Sequence, residues 1–458
     1  IKQMEQREDI TATEKAKVDQ VVLKSNFDQS NTDLDLTAKQ IEDPSRKVKE
    51  LNPEVIEEQK AIERIERSNR PSYSTDIEYI DSIRNRYNIS GLSITISIPS
   101  GSQCIAVGKT QKFNVEPTTR FQIASLSKTV ASAFAIEYFR SKKIPLTTSV
   151  NSLLDKASST FRITSSGDPA WADKVTIRDL MSHSAFNMHY VNGIRKGEPM
   201  PPILSLIQGS QEFGYLPVKV IAEPGTKFSY SGGGFLVLEH LIEALEKRPV
   251  RELVKPFLDK LKLSSLSLDP DENSGDEAYG YFDSGEPVKD GWLRFPGFAA
   301  GGWSNSGDMA KFLKHLATAY NDPEGCGPIS HETAIEMLNG TDKGCKEFMA
   351  CEMGVGIFTI RAGPNKFVLH QGANEGFRAL FLHCYSGPDY GKGFVIFANG
   401  DNRAVLMIAE IARELLLHLK IEGIDHGRMS QNFDLKGIPQ EQIVNLGYKY
   451  LIFDAFQA

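Results

Sequence analysis

Ser125-Leu126-Ser127-Lys128 sets a hydroxyl and an ammonium three residues apart. On a helix that spacing places both groups on one face, about one turn apart. An apolar stretch (Phe121, Ile123, Ala124) precedes the four residues, and a helical pattern follows them. At a helix N-terminus the free backbone N–H groups and the dipole favour negative charge nearby. A weak nucleophile, a cation and an anion-favouring backbone would then meet at one point, as acyl transfer requires. The same residues also read as a plain helix start, with Ser127 as cap and Lys128 in solvent. What decides between the two is the rest of the chain.

Two further pieces follow in order. Tyr230-Ser231-Gly232 comes after the turn Pro224-Gly225 and before a helix expected over about 235–247. A tyrosine at such a junction serves as a general base when neighbouring lysines lower its phenol pKa, and is otherwise an aromatic plug in the core. His370-Gln371-Gly372-Ala373-Asn374 ends the strand-like run Lys366-Phe367-Val368-Leu369. A glycine there removes a side chain, so a substrate could lie along the strand edge. A lone histidine at a strand end is otherwise structural.

With these three motifs in order, the chain resembles the penicillin-recognising serine hydrolases: class C β-lactamases, D-amino-acid peptidases and β-lactamase-like carboxylesterases. Supporting stretches are Val175-Thr176-Ile177-Arg178-Asp179-Leu180-Met181-Ser182-His183, Ala300-Gly301-Gly302-Trp303-Ser304 and the run from Phe394 to Asn402, and the likeness spans roughly residues 73–420. It implies that Ser125 forms an acyl-enzyme while Lys128 and Tyr230 share the proton transfers. It also implies an oxyanion held by the backbone N–H groups of Ser125 and Ala373, with His370 lining the cleft as donor or electrostatic partner. Gly232, Gly372 and Asn374 would border the substrate. No metal and no cofactor is called for.

Two departures bear on the substrate. Gly232 stands where β-lactamases usually carry an asparagine that holds an acylamino group, and His370 stands where they carry lysine. Both argue against efficient antibiotic hydrolysis. The expected substrate is a small-molecule ester, or an amide or peptide of a (D-)amino acid. The alternatives are an acyltransferase or transpeptidase using the same acyl-enzyme, and a catalytically weak penicillin-binding-type scaffold. Gly302-Trp303-Ser304-Asn305-Ser306 nearly matches the Gly-x-Ser-x-Gly elbow of α/β-hydrolases, but ends in serine and follows a poor central strand. No His-Glu-x-x-His helix and no phosphate-binding Gly-x-x-x-x-Gly-Lys loop occurs.

The elements that must position these groups are legible in outline. A helical pattern over 77–83 leads to an alternating strand over 92–98. A mostly helical middle carries Ser125 and Tyr230. Strands return near Val368, at 379–384 and at 393–398, and an apolar-faced helix runs over about 404–420. Strands from both ends around a helical insertion give an α+β fold: an α/β sandwich with an antiparallel sheet flanked by helices, plus an all-helical subdomain. The resemblance makes it β-lactamase/transpeptidase-like, with the site in the cleft between the two parts.

Around this domain, residues 1–72 are densely charged and are expected to form loose helices or an extended arm. Residues 421–458 extend past the family domain, and their aromatic end (Tyr448, Tyr450, Phe453, Phe456) should pack on this domain or on a second subunit. These extensions are where a homo-oligomer would form. The chain of 458 residues is 40% hydrophobic with a net charge of −7, which fits an enzyme and excludes the basic footprint of a nucleic-acid binder. No apolar run is long enough to span a bilayer. The chain opens on Ile1, so a leader removed before it is compatible with the sequence. Five cysteines, with Cys326, Cys345 and Cys351 in one segment, leave one local bridge open, though buried reduced thiols are expected. Asn88-Ile89-Ser90 and Asn339-Gly340-Thr341 are glycosylation sequons if the chain is secreted.

Overall fold

A computed structural model describes residues 76–430 and 447–456, so the charged arm over 1–72 lies outside the described residues. Helix α1 (Ile77–Arg86) starts at Asp76, whose carboxylate accepts the N–H groups of Glu78 and Tyr79. Its buried face, Ile80 and Ile83, covers the hairpin of β1 (Gly91–Ile98) and β2 (Gly101–Gly108). The remaining strands of the main sheet come from the far end of the chain. They are β5 (Glu352–Met353), β6 (Phe358–Ala362), β7 (Asn365–Asn374), β8 (Phe377–Ser386) and β9 (Gly393–Ala398). All seven are antiparallel to their neighbours, in the order β2-β1-β9-β8-β7-β6-β5. The two ends of the domain therefore meet in the β1–β9 pairing.

Alternation along the strands loads both faces. Leu380, Leu382, Phe394 and Ile396 join α1 and α6 (Asn402–His418) in one core. Ala379, Phe381, Val395 and Phe397 face the opposite core, shared with the helical part. The serine and threonine side of β1 does not face water. Ser93 and Thr95 are buried and hydrogen-bond to Ser306 at the start of α4 (Ser306–Asn321), at 2.9 and 2.8 Å.

The helical part lies between β2 and β5 in the chain. Its central element is α2 (Ser127–Ser141), enclosed on nearly every side, as its run of Ala, Ser, Thr and Val permits. Short helices follow at Val150–Lys156, Trp171–Lys174, Ile177–Met181 and Ile203–Gln208, then the long α3 (Gly232–Glu246). The Ile177–Met181 helix is fixed by a capping box between Thr176 and Asp179.

A separate two-stranded ribbon joins β3 (Phe121–Ala124) to β4 (Gly302–Ser304). Ser127 does not cap α2. Its hydroxyl donates to Ala124 O at 2.6 Å and accepts the Gly302 N–H at 2.9 Å, tying the two ribbon strands to the helix start. Ala124, buried at the end of β3, has φ +47°, in the left-handed region. The ribbon is pressed onto β7, and Gly372 permits this: a Cβ there would lie 2.6 Å from Ile123 O and 3.1 Å from the Ala124 Cβ.

The C-terminal aromatics pack on this domain. Tyr448 and Phe453 are buried, and Phe456 meets Phe367 edge-on at 5.7 Å. Tyr450 is only half-buried. None of the five cysteines is bridged: Cys345 and Cys351 are buried thiols in contact with each other, and Cys326 is exposed. Both sequon asparagines, Asn88 and Asn339, are exposed. Among the described residues no helix is long and apolar enough to cross a membrane.

Gly372→Ala is expected to lower stability by about 1–3 kcal/mol, the usual cost of overpacking, because Ile123 O is backbone and cannot rotate aside. A thermal melt at the wild-type midpoint would show that the ribbon does not depend on this close approach.

Candidate active site

Ser125 stands in the turn between β3 and α2, half-buried, while its neighbours Ala124 and Leu126 are buried. Two side chains converge on its hydroxyl: Lys128 Nζ lies 3.0 Å from Ser125 Oγ, and the Tyr230 phenol donates to the same oxygen at 2.9 Å. The lysine comes from the first turn of α2, and the tyrosine from the residues just before α3. A neighbouring lysine and a tyrosine 105 residues on thus share one point.

Lys128 is 2% exposed and among the described residues pairs with no carboxylate. Besides Ser125 it reaches the carbonyl of Ala299, at 2.5 Å, and its Nζ lies over the rings of Tyr230 and Phe235. Burial disfavours its charged form and brings its pKa down to about 7. As a neutral amine it keeps an N–H on Ala299 O and turns its lone pair to the serine hydroxyl. That arrangement can take a proton from Ser125.

Tyr230 departs from the expectation of a lysine-lowered phenol. Burial raises its pKa well above the usual range, and the hydrogen bond with Ser125 offsets this only in part. The phenol is therefore a donor at rest. Its ring is held in an aromatic stack: His183 at 4.4 Å, and Phe348 and Tyr190 each at 5.7 Å. His183 Nδ1 also accepts the Ser231 N–H at 2.9 Å, fixing the backbone beside the tyrosine.

A small cavity of about 40 Å³ opens beside Ser125, lined by Lys128, His189, Tyr190, Val191, Tyr230, Gly232, Ala300, Ala373 and Asn374. Ala373 is exposed at the end of β7. Asn374 is anchored, its amide donating to Gln122 Oε1 at 2.8 Å and Ala300 O at 3.0 Å. A larger cleft of about 680 Å³, between α1, β2 and the 281–285 loop, shares no residue with it and holds none of the three groups.

Two expected site residues are placed otherwise. His370 does not line the cavity: it is fully buried, its Nδ1 pairs with the Gln371 carbonyl at 2.8 Å, and its ring packs between Phe358 and Phe381. Burial, reinforced by the charge of Lys128, holds its pKa down to about 3, so it is neutral. Gly372 is buried too, and its missing side chain makes room for the ribbon rather than for substrate. Ser304, the rival nucleophile, is fully buried with its hydroxyl donating to Asn305 O.

Sequence reading missed the groups that hold the lysine. The Ala299 carbonyl lies in a tight turn whose Phe298 N–H donates to Glu239 Oε2 on α3 at 3.1 Å. Burial raises the Glu239 carboxyl to about 8. One helix thus carries Tyr230 at its start and, two turns on, the anchor of the turn that holds Lys128. A carboxylic acid amid the apolar run Phe235 to Ile242 was the one available signal. Among the described residues no cluster of three or more His, Cys, Asp or Glu is placed to hold a metal ion.

A family model described as Beta-lactamase matches residues 78–418. No curated protein matches the chain. Solved structures with the same fold include the D-amino acid amidase of Ochrobactrum anthropi SV3 in complex with L-phenylalanine amide, 16% identical with a TM-score of 0.59 over 75% of this chain and 99% of that one. The β-lactamase/D-alanine carboxypeptidase of Pseudomonas syringae is 18% identical, with a TM-score of 0.58 over 76% and 99%. The octameric penicillin-binding protein homologue of Pyrococcus abyssi is 19% identical, with a TM-score of 0.55 over 76% and 78%. At these identities the likeness is one of fold.

Because the neutral amine is the form that accepts a proton, acylation of Ser125 is expected to be slow below pH 7 and to rise to a plateau above it, with a midpoint of about 7. Lys128→Arg, which cannot deprotonate, is expected to lose about a hundredfold or more and the rising limb with it. Tyr230→Phe is expected to slow acylation while keeping ring packing. Single-turnover rates with a chromogenic ester across pH measure all three. An arginine variant close to wild type would make the lysine a fixed charge and move the base elsewhere.

Proposed function

The chain belongs to the beta-lactamase family, and we propose that it is a serine hydrolase that cleaves a small ester or amide through an acyl-enzyme on Ser125. The observation that carries this reading is the convergence of Lys128 Nζ and the Tyr230 phenol on one hydroxyl oxygen, at 3.0 and 2.9 Å. Ser125 Oγ bonds to the substrate carbonyl carbon as its proton passes to the neutral Lys128 amine. The carbonyl electrons move onto oxygen, which the backbone N–H groups of Ser125 and Ala373 receive; such donors are worth about 3–4 kcal/mol to a transition state. As the intermediate collapses, the bond to the leaving group breaks and the proton returns to it through Tyr230. Water then attacks the acyl-enzyme with Lys128 again as base, releasing the acid and restoring the serine.

Gly232 and the neutral His370 support the same choice of substrate: neither offers the amide or the cation with which the related β-lactamases hold a penicillin. Small esters or amino-acid amides are therefore the better substrates of the same nucleophile.

A fluorophosphonate should label the wild-type protein at one site. Ser125→Ala is expected to abolish the label, and Ser304→Ala to leave it intact. Intact-mass spectrometry reads both outcomes, and the reverse pattern would move the nucleophile to β4. Penicillin turnover well above ester or amide turnover would overturn the substrate class while leaving the nucleophile in place.

A further inference from the structure

The segment His189–Val191 lines one corner of the cavity beside Ser125. The Gly232 N–H donates to His189 O at 2.6 Å, and His189 pairs with Ser231 as a parallel bridge. A Cβ at position 232 would lie 3.1 Å from Val191 Cγ1 and 3.3 Å from His189 O. A side chain at 232 would press on the valine, so Val191 crowds this corner of the cleft.

Little else in the corner can hold a polar acyl group. Both amide hydrogens of Asn374 are engaged, with Gln122 and Ala300. His189 turns Nε2 to the Leu216 carbonyl at 2.9 Å, and its Nδ1 is sealed from solvent. The remaining space is about 40 Å³. For scale, an engineered apolar cavity of about 150 Å³ takes up benzene.

On the reading of Ser125 as the nucleophile, we infer that Val191 sets substrate choice by closing the acyl side of the cleft, so that the enzyme takes esters of short, unsubstituted acyl groups, acetyl or propionyl. Acylamino and aromatic amino-acyl groups are excluded by size and by lack of polar partners. The leaving group extends toward solvent past Tyr190, and bond making and breaking at Ser125 are as already described.

The experiment is a series of p-nitrophenyl esters from acetyl to octanoyl, with D-phenylalanine amide and a penicillin alongside. Wild type is expected to favour acetyl or propionyl over hexanoyl by about tenfold or more in kcat/KM, since single methylenes in an apolar pocket change rates by about 10–200-fold. Val191→Ala is expected to move the optimum to longer chains and to shrink that ratio by about tenfold. Val191→Leu, which fills the corner further, is expected to sharpen the preference for acetyl, and it serves as the test if the alanine variant does not fold. Gly232→Asn is expected to gain no penicillin turnover. Equal rates for acetyl and hexanoyl esters, a preference for D-phenylalanine amide, or unchanged ratios in the valine variants would overturn the inference. Fluorophosphonate labelling of the same samples separates the failures. A labelled Ser125 without chain-length selection removes only the role of Val191, whereas an unlabelled Ser125 removes the acyl-enzyme reading and this inference with it.

Discussion

A primary amine kept out of water is the constraint on which the rest of this molecule depends. Lys128 is 2% exposed and no carboxylate among the described residues compensates it. An isolated buried ammonium is costly, and the protein meets that cost by letting the group lose its proton near neutrality. Much of the surrounding architecture keeps the amine dry and aimed. Helix α2 is enclosed, the rings of Tyr230 and Phe235 cover the amine, and the Ala299 carbonyl takes one N–H so that the lone pair faces Ser125. Glu239 extends the arrangement, holding the turn that carries this carbonyl from the helix that also positions the tyrosine. The amine, the carbonyl that orients it and the phenol beside them are thus referred to two helices, α2 and α3.

What was legible in the sequence was whatever has a short period. Ser125 and Lys128 are three residues apart, and the turn that leads into α2, closed by the Lys128 N–H on Ser125 O at 3.1 Å, brings their side chains together. The alternation of residues 92–98 and the apolar runs at 379–384 and 393–398 marked β1, β8 and β9, and the apolar stripe after Ala404 marked α6. Hairpin partner β2 went unmarked, because its first four residues, Gly101 to Cys104, include no fully buried apolar side chain to set a period.

The rest depended on contacts between distant segments, which no local pattern carries. Gly372 was read as room for substrate, whereas the space is filled by Ile123 O from a strand some 250 residues earlier. The resemblance placed His370 in the cleft, but Phe358 and Phe381 pack on its ring and it is fully buried. Lysines in the sequence around Tyr230 suggested an acidified phenol. In the fold His183, Phe348 and Tyr190 surround the ring, and desolvation sets the opposite direction. Val191 carries no chemical signal at all, since its effect comes from lying against Gly232. Motif order identified three side chains that the fold brings together, while the shape of the space beside them was set by residues outside any motif.

Ala124, the residue before Ser125, holds a left-handed backbone conformation with φ +47°, which costs an L-residue with a Cβ about 1–2 kcal/mol. Glycine would adopt it without that penalty. In exchange the methyl group confines the turn to a narrow set of conformations, with the Ala124 carbonyl fixed by Ser127. The sequence with the least backbone strain at this point and the one that most narrowly fixes the turn at Ser125 are therefore not the same sequence. Selection for thermal endurance and selection for turnover would pull position 124 in opposite directions.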